Sequence, residues 1–307
     1  MLVISEWVPD DSLNGLRTKD IAFLYDPDLY RNPVALGEAL HLAQGLVVRN
    51  RTHVTETLLH RAPQLRAVGR LGVGLDNIDV PACREQGIAL VVPRGANAPS
   101  VVEYVVRALL SHYRPWTPLC SDMQKGLWNR QPDGEEICGK VVGIVGYGDI
   151  GHRVGEALSA LGTTIWAYDP HLGAFDRAVM HHHVHRANTL FELLRESDIV
   201  TLHAPLNAST FHMLNQETLA HCRQNAVLIN TARGDLIDEI ALVDHLDRNR
   251  FDRVILDVRA KEPPAVPDAL TQYHDRVWLT PHIAGVTEPA QRRITEWVFQ
   301  EIAQYLG

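Results

Sequence analysis

The sequence predicts an α/β fold built as two doubly wound parallel sheets, and three observations carry that prediction. Short runs of β-branched and aromatic residues alternate with helical patterns along the chain, which is how parallel strands with crossover helices read. The runs fall into two series, separated by a long helical stretch and a loop. The chain has 307 residues, which at about 150 residues per domain calls for two domains.

The first series of strands is LVIS (2–5), IAFLY (21–25), GLVV (45–48), LRAVG (65–69) and IALVV (88–92), with amphipathic stretches at 53–61 and 80–86. A helix is expected over SVVEYVVRALLSHY (100–113), followed by a loop-like stretch to Gly139. The second series is KVVGIVGYG (140–148), TIWAYD (164–169), DIVTLH (198–203), AVLINT (226–231), DRVILD (252–257) and VWLT (277–280). The last segment places Ile294, Trp297, Val298, Ile302 and Tyr305 on one helical face, a stripe that requires burial.

Hydrophobic residues at 46% and charged residues at 21% describe a soluble globular protein and exclude a disordered one. Lys and Arg number 29 against 37 Asp and Glu, a net charge of -8, which argues against nucleic acid or an anionic membrane as partner. The opening MLVISEWVPDD lacks the basic lead and apolar stretch of a signal peptide. No apolar run is long enough to span a bilayer. Cys83, Cys120, Cys138 and Cys222 form no CxxC pair and read as reduced thiols of a cytoplasmic protein. His181, His182, His183 and His185 raise the question of a metal. They fall where an edge strand and loop are expected and read as surface histidines, so no metal is predicted.

The strongest local signal is Gly146-Tyr147-Gly148-Asp149-Ile150-Gly151, which follows an apolar strand and opens a helix. GxGxxG alone is weak, but strand, glycine turn and helix together make a dinucleotide cradle. Gly146 permits the tight turn, Gly148 lets a pyrophosphate approach the backbone, and Gly151 allows close helix–strand packing. The helix N-terminus offers free N–H groups and a positive dipole end. Asp169 ends the next strand 23 residues after Gly146, where an acid binds a ribose 2′-hydroxyl. No Arg stands in DPHLG (169–173) to accept a 2′-phosphate, so NAD is favoured over NADP.

Three later strands end in polar residues, at the carboxyl edge where open α/β sheets bind ligands. They bring Arg233 after AVLINT, Asp257 and Glu262 after DRVIL, and His282 after VWLT. Hydride transfer between a nicotinamide and a hydroxyl or keto carbon needs a proton carrier near neutral pH, which His provides. A carboxylate orients the imidazole, and a guanidinium binds a substrate carboxylate by a two-point fork. Singly, Arg233 reads equally as a surface ion pair, Glu262 as a solvated acid and His282 as a cap. Their joint placement after a dinucleotide cradle favours chemistry.

The chain resembles the D-isomer-specific 2-hydroxyacid dehydrogenases through an ordered set of segments. These are VVRNRT (47–52), GRLGVGLDNIDV (69–80), NAPSVVEY (97–104), GLWNR (126–130), GKVVGIVGYGDIG (139–151), HAPL (203–206), NTARG (230–234), the stretch from Asp257 to Glu262, and TPHIAG (280–285). The first two are most similar to the sulfolactate branch of that family and more loosely to its phosphoglycerate branch. The resemblance implies a discontinuous flavodoxin-like substrate domain, 1–97 with 286–307, and a Rossmann NAD-binding domain, 98–285. It implies Arg233, Glu262 and His282 as the catalytic trio. Around the cofactor it implies Gly146, Gly148, Asp149, Ile150, Gly151, Asp169, His203, Ala204, Pro205, Thr231, Ala232, Asp257, Ala284 and Gly285, with Asp257 at the nicotinamide carboxamide. For the substrate it implies Val73, Gly74 and Asn97, with Arg49 and Arg70 near the cleft. It also implies domain closure about hinges near 97 and 285, and a homodimer through the 100–113 helix and the Trp128 loop.

The sequence departs from the family in three places. Arg259 stands where an aromatic residue is common, Glu262 is followed by Pro263-Pro264, and VVE (101–103) replaces VAE. The expected substrate is a short 2-hydroxy or 2-keto acid with a second anionic group, such as 3-sulfolactate or 3-phosphoglycerate. One rival is an NADPH-dependent glyoxylate or hydroxypyruvate reductase, opposed by the charge of Asp169. Another is an NADH-sensing corepressor-like binding protein, which turnover would separate from an enzyme.

Overall fold

The structure, a computed structural model, describes residues 1–128, 130, 134–173 and 184–306. His181, His182 and His183 lie outside the described residues. Two compact units divide the chain, Met1–Asn97 with Val286–Gly307, and Ala98–Gly285. Both are parallel sheets flanked by helices.

In the first unit five strands run in the order β2-β1-β3-β4-β5: β1 (Leu2–Ile4), β2 (Phe23–Tyr25), β3 (Gly45–Val48), β4 (Ala67–Arg70) and β5 (Ala89–Val91). Every neighbouring pair is parallel. That order is the flavodoxin-like one. Its central strands are continuous apolar runs because helices cover both faces. Three of the crossover helices, Pro33–Leu40, Glu56–His60 and Val80–Glu85, start at side-chain caps. Asn32 accepts from the amides of Val34 and Ala35, and Asp79 from Ala82, with Pro33 and Pro81 in the first turns.

The C-terminal helix Glu288–Ile302 buries Ile294, Val298, Phe299 and Ile302 in this unit, each worth about 1.5–3 kcal/mol of burial. A Cβ on Gly69 would stand 2.6 Å from Val298 Cγ1, so glycine there lets the helix lie directly on β4. The expected stripe is corrected at two positions. Trp297 is 41% and Tyr305 39% exposed, while Phe299 takes a core place. The buried row is 294, 298 and 302, flanked by 291, 295 and 299, which leaves 297 at its margin. Tyr305 falls in a 3₁₀ turn past the helix end, where the α-helical phase no longer holds.

In the second unit seven strands run in the order β12-β11-β10-β9-β6-β7-β8: β6 (Val141–Val145), β7 (Thr164–Tyr168), β8 (His185–Arg186), β9 (Ile199–Leu202), β10 (Ala226–Asn230), β11 (Phe251–Leu256) and β12 (Val277–Leu279). All neighbours are again parallel. The chain winds from β6 out to β8, then returns to β9 and winds out the other way. The direction therefore reverses between β6 and β9, the topological switch point of a Rossmann sheet. His185 lies on the edge strand β8 and stacks on Trp166 with ring centroids 5.3 Å apart. Residues Trp116–Gln124 form a helix where the sequence suggested a loop. Pro115 sits at the N-cap, where the helix needs no N–H from it.

Among the described residues no helix is long and apolar enough to cross a membrane, and no cluster of three His, Cys, Asp or Glu could hold a metal.

Candidate active site

Parallel pairing puts the carboxyl ends of all seven strands of the second unit on one edge. Asp169 follows β7, Gly146 follows β6, His203 follows β9, Arg233 follows β10, Asp257 follows β11 and His282 follows β12. Strand adjacency thus lines up the cradle and the catalytic candidates on a single rim.

At the cradle, Gly146 has φ +87, and a Cβ there would lie 2.6 Å from the Ala204 nitrogen. A Cβ on Gly151 would stand 2.1 Å from Gly146 O. These two glycines close the turn and seat the helix Asp149–Ser159 against β6. Gly148 differs: it is exposed and nothing lies within 4 Å of its Cβ direction. No side chain caps the helix, so its first amides await an acceptor. Asp149, inside the cradle motif, pairs with Arg153 at 3.2 Å, a cation that partly offsets its charge beside the helix N-terminus. Asp169 accepts from the amides of Tyr147 (2.9 Å) and His171 (2.9 Å), tying the end of β7 to the glycine turn. A dinucleotide fits this geometry: an open backbone, unsatisfied helix amides, and an acid at the adjacent strand end.

His203 bonds Thr201 Oγ1 at 3.0 Å, and burial pushes its pKa down to about 3, so it is neutral at physiological pH. Ala204 is buried beside it and Pro205 is exposed. Thr231 Oγ1 is buried without a hydrogen-bond partner among the described residues.

Arg233 is placed by a residue whose role the motif conceals. Asn230, 1% exposed at the end of β10, donates to Arg233 O at 2.8 Å and accepts from the Ala232 amide at 3.0 Å. The side chain folds the strand end into a fixed turn. Arg233 Nη1 donates to Ala232 O at 2.6 Å.

Asp257, also 1% exposed, holds the His282 turn. Its carboxylate accepts from Thr280 Oγ1 (2.5 Å) and the amides of Ile283 (2.8 Å) and Ala284 (2.7 Å). The Thr280 hydroxyl has one proton and gives it to Asp257, so Tyr104, 2.6 Å away, is the donor to Thr280. His282 sits at φ +56, the left-handed region that costs a side-chain-bearing residue energy. Its amide bonds Asp257 O (2.8 Å) and Thr280 O (3.0 Å), and together with the carboxylate contacts these hold the strained conformation.

His282 Nδ1 meets Glu262 Oε2 at 2.8 Å, and Glu262 Oε1 accepts from the Arg259 amide at 3.0 Å. Nδ1 is therefore the nitrogen committed to the carboxylate, leaving Nε2 to face chemistry. Tyr104, Asn230 and Thr280 escaped sequence reading because a hydroxyl or amide inside a strand or helix pattern carries no local signal of its partner.

In the first unit, Arg49 follows β3 and Arg70 ends β4, two neighbouring strands. Glu6, 3% exposed, accepts from the amides of Arg49, Arg51 and Thr52 at 2.8–3.1 Å. Asn77 joins the two arginines: its Oδ1 accepts from Arg70 Nε (3.3 Å) and its Nδ2 donates to Arg49 O (3.0 Å). Arg49 stacks over Trp7 at 5.3 Å, and burial pushes its guanidinium below its ordinary value. Arg51 instead stacks on Tyr30. Val73 and Gly74 lie on the loop after β4, and Asn97 Oδ1 is buried with no partner among the described residues.

Residues 106–284 match the family model described as D-isomer specific 2-hydroxyacid dehydrogenase, NAD binding domain. The chain is 38% identical over 307 residues to an (S)-sulfolactate dehydrogenase of Chromohalobacter salexigens, covering 100% of this chain and 98% of the relative. It is 37% identical over 265 residues to a hydroxypyruvate reductase of Thermotoga maritima, 85% of this chain and 84% of that one. A solved D-lactate dehydrogenase from Aquifex aeolicus, complexed with NAD and lactic acid, superposes with TM-score 0.85 at 27% identity, covering 99% of this chain and 95% of that one. Cradle, strand-end residues and these matches agree: the chain belongs to the D-isomer specific 2-hydroxyacid dehydrogenases, NAD-dependent oxidoreductases that interconvert 2-hydroxy and 2-keto acids.

Proposed function

We propose that this chain interconverts a short 2-hydroxy acid and its 2-keto acid, the substrate carrying a second anionic group, with His282 as acid/base, Glu262 as its carboxylate partner and Arg233 as the carboxylate fork. The observation that carries this reading is the 2.8 Å contact between His282 Nδ1 and Glu262, on the same sheet edge as the glycine cradle. NADH, when bound, supplies the hydride. The amides of Asp149, Ile150 and Gly151 would hold its pyrophosphate and Asp169 its ribose. His203, Ala204 and Pro205 would wall the adenosine, and Thr231, Ala232, Ala284 and Gly285 would lie on the nicotinamide side. Asp257 has three donors already, so its main work is to fix the His282 turn, with its remaining lone pair left for the carboxamide.

In the reduction, protonated His282 holds the transferred proton at Nε2 and releases it to the keto oxygen. Glu262 keeps the ring in one orientation through Nδ1 and balances the imidazolium charge. Arg233 presents its planar fork to the substrate carboxylate. Val73 and Gly74, through their amides, and Asn97 are the substrate-binding groups proposed for the first unit. In the oxidation the same imidazole, now neutral, accepts the hydroxyl proton.

Arg49 and Arg70 are assigned to the second anion. Asn77 ties the Arg70 guanidinium to the Arg49 main chain, and a partly desolvated Arg49 gains from an anionic neighbour. A steady-state panel tests the substrate. With NADH, kcat/KM is expected to be highest for 2-keto acids bearing sulfonate, phosphate or carboxylate at C3. Higher values for pyruvate, glyoxylate or hydroxypyruvate would contradict the assignment. In the same panel NADPH is expected to be at least about 100-fold poorer than NADH, because Asp169 meets the 2′-phosphate as a like charge worth several kcal/mol. Equal use of the two would remove Asp169 from the cofactor site.

A homodimer is proposed over the helix Ala98–Tyr113 and the segment after it, where Leu110, Trp116, Met123, Leu127 and Trp128 are exposed. Five large apolar side chains exposed within one stretch of sequence suit a partner surface. Sedimentation at the 34.3 kDa of one chain would contradict it.

A further inference from the structure

Arg259 stands where this family commonly has an aromatic residue, and its surroundings are those of a clamp. Its side chain is 9% exposed and forks to two carboxylates from separate elements. Nε and Nη2 donate to Glu239, both at 2.9 Å, and Glu239 opens the helix Glu239–Asp247. Nη2 also donates to Asp268 Oδ1 at 2.9 Å, and Nη1 pairs with the other oxygen of that carboxylate. Asp268 in turn accepts from the amide of Leu270 at 3.1 Å, and Glu239 from the amide of Ala260 at 3.0 Å. The pairing raises the Arg259 pKa, through Asp268 first and Glu239 next, and holds both acids below their ordinary range.

The backbone of the clamped residue touches both catalytic loops. The Arg259 amide donates to Glu262 Oε1 at 3.0 Å, and the other oxygen of Glu262 bonds His282. On its other side Gly234, next to Arg233, lies so close that a Cβ would stand 1.9 Å from the Arg259 carbonyl carbon and 2.1 Å from the Ala260 nitrogen. Gly234 is thus the one residue type that fits between the two loops. A main chain pinned through Arg259 to Glu239 and Asp268 is the common footing of Glu262 and of the turn that carries Arg233.

We infer that Arg259 is a positioning residue for the proposed reaction: its fork to Glu239 and Asp268 sets the loop that aims Glu262 at His282 and seats the Arg233 turn. This rests on the roles proposed for Glu262, His282 and Arg233. An aromatic residue at this position could fill the volume but could not join the two carboxylates. The geometry is bidentate to both carboxylates with Nη2 shared between them, a fork that a point charge or an apolar side chain cannot reproduce.

The test is steady-state kinetics of the full-length enzyme with NADH and its best 2-keto acid, on Arg259→Met, Arg259→Lys, Asp268→Asn and His282→Asn. Arg259→Met is expected to lower kcat by about 10- to 100-fold while KM for NADH stays within twofold, since the cradle lies elsewhere on the sheet edge. Arg259→Lys, which keeps charge but loses the fork, is expected to recover part of that loss. A kcat within twofold of wild type in Arg259→Met, with only the melting temperature lowered, would overturn the inference and leave a cluster that merely stabilises the fold. Should Arg259→Met not fold, Asp268→Asn keeps the Glu239 fork and is expected to lower kcat about 3- to 10-fold. An unchanged kcat there overturns the inference equally. His282→Asn separates the two levels of the account. If it is inactive while Arg259→Met is unaffected, only the role of Arg259 falls; if it keeps activity within tenfold, the proposed chemistry itself falls.

Discussion

Replacing His282 by Ala or by Asn is expected to lower kcat for keto acid reduction by about two to four orders of magnitude, the usual contribution of a positioned general acid. That corresponds to about 3–5 kcal/mol of transition-state stabilisation. The expectation comes from geometry. Nδ1 is committed to Glu262 at 2.8 Å, so Nε2 is the nitrogen left to carry the proton, and neither Ala nor Asn has a group that titrates in its place. The two variants differ in the folded state. His282 holds φ +56, which Asn tolerates better than Ala, so His282→Asn should melt higher than His282→Ala while both lose turnover. Thermal melts beside the kinetics separate strain from chemistry. A loss below tenfold in both variants would end the acid/base assignment.

Replacing Arg233 is the second large effect. Arg233→Ala is expected to lower kcat/KM for the keto acid by about three orders of magnitude, as expected when a charged hydrogen-bonding partner is deleted. Arg233→Lys is expected to recover only part of it, because a point charge cannot grip a carboxylate at two positions. The loss should fall on both kcat and KM of the keto acid and leave the dissociation constant of NADH within about twofold, since the cradle lies at β6 and β7 and Arg233 at β10. A fluorescence titration with NADH beside the steady-state data reads this directly. Wild-type kinetics in Arg233→Lys would show that charge alone suffices.

Much of the fold was legible because its signals are local. Continuous apolar runs such as 45–48 and 226–229 became strands, since a parallel sheet covered on both faces needs no alternation. The cradle was legible because two of its glycines meet backbone at distances no side chain allows. The helix Trp116–Gln124 was not, because Pro115 reads the same at an N-cap as in a loop. The phase of the last helix was misjudged at Trp297, where an apolar residue type outweighed its angular position.

For the site, sequence supplied the residues at strand ends and missed those that fix them. Asp257 is visible as an acid after β11, but nothing local tells that three donors from 280–284 converge on it. Arg259 is visible as a departure from the family, but its partners lie 20 residues before it and nine after it. Contacts at such separations depend on which strands become neighbours, and spacing within one segment does not encode that.

The central claim is that His282 carries the proton in both directions, and the pH dependence of kcat/KM for the wild-type enzyme tests it most directly. Reduction requires a proton on the imidazole, so kcat/KM for the keto acid should fall with rising pH. Oxidation requires the neutral imidazole, so kcat/KM for the hydroxy acid should rise with rising pH. Both limbs should disappear from the residual activity of His282→Asn. Limbs that run in the same direction, or that persist in His282→Asn, would contradict the account.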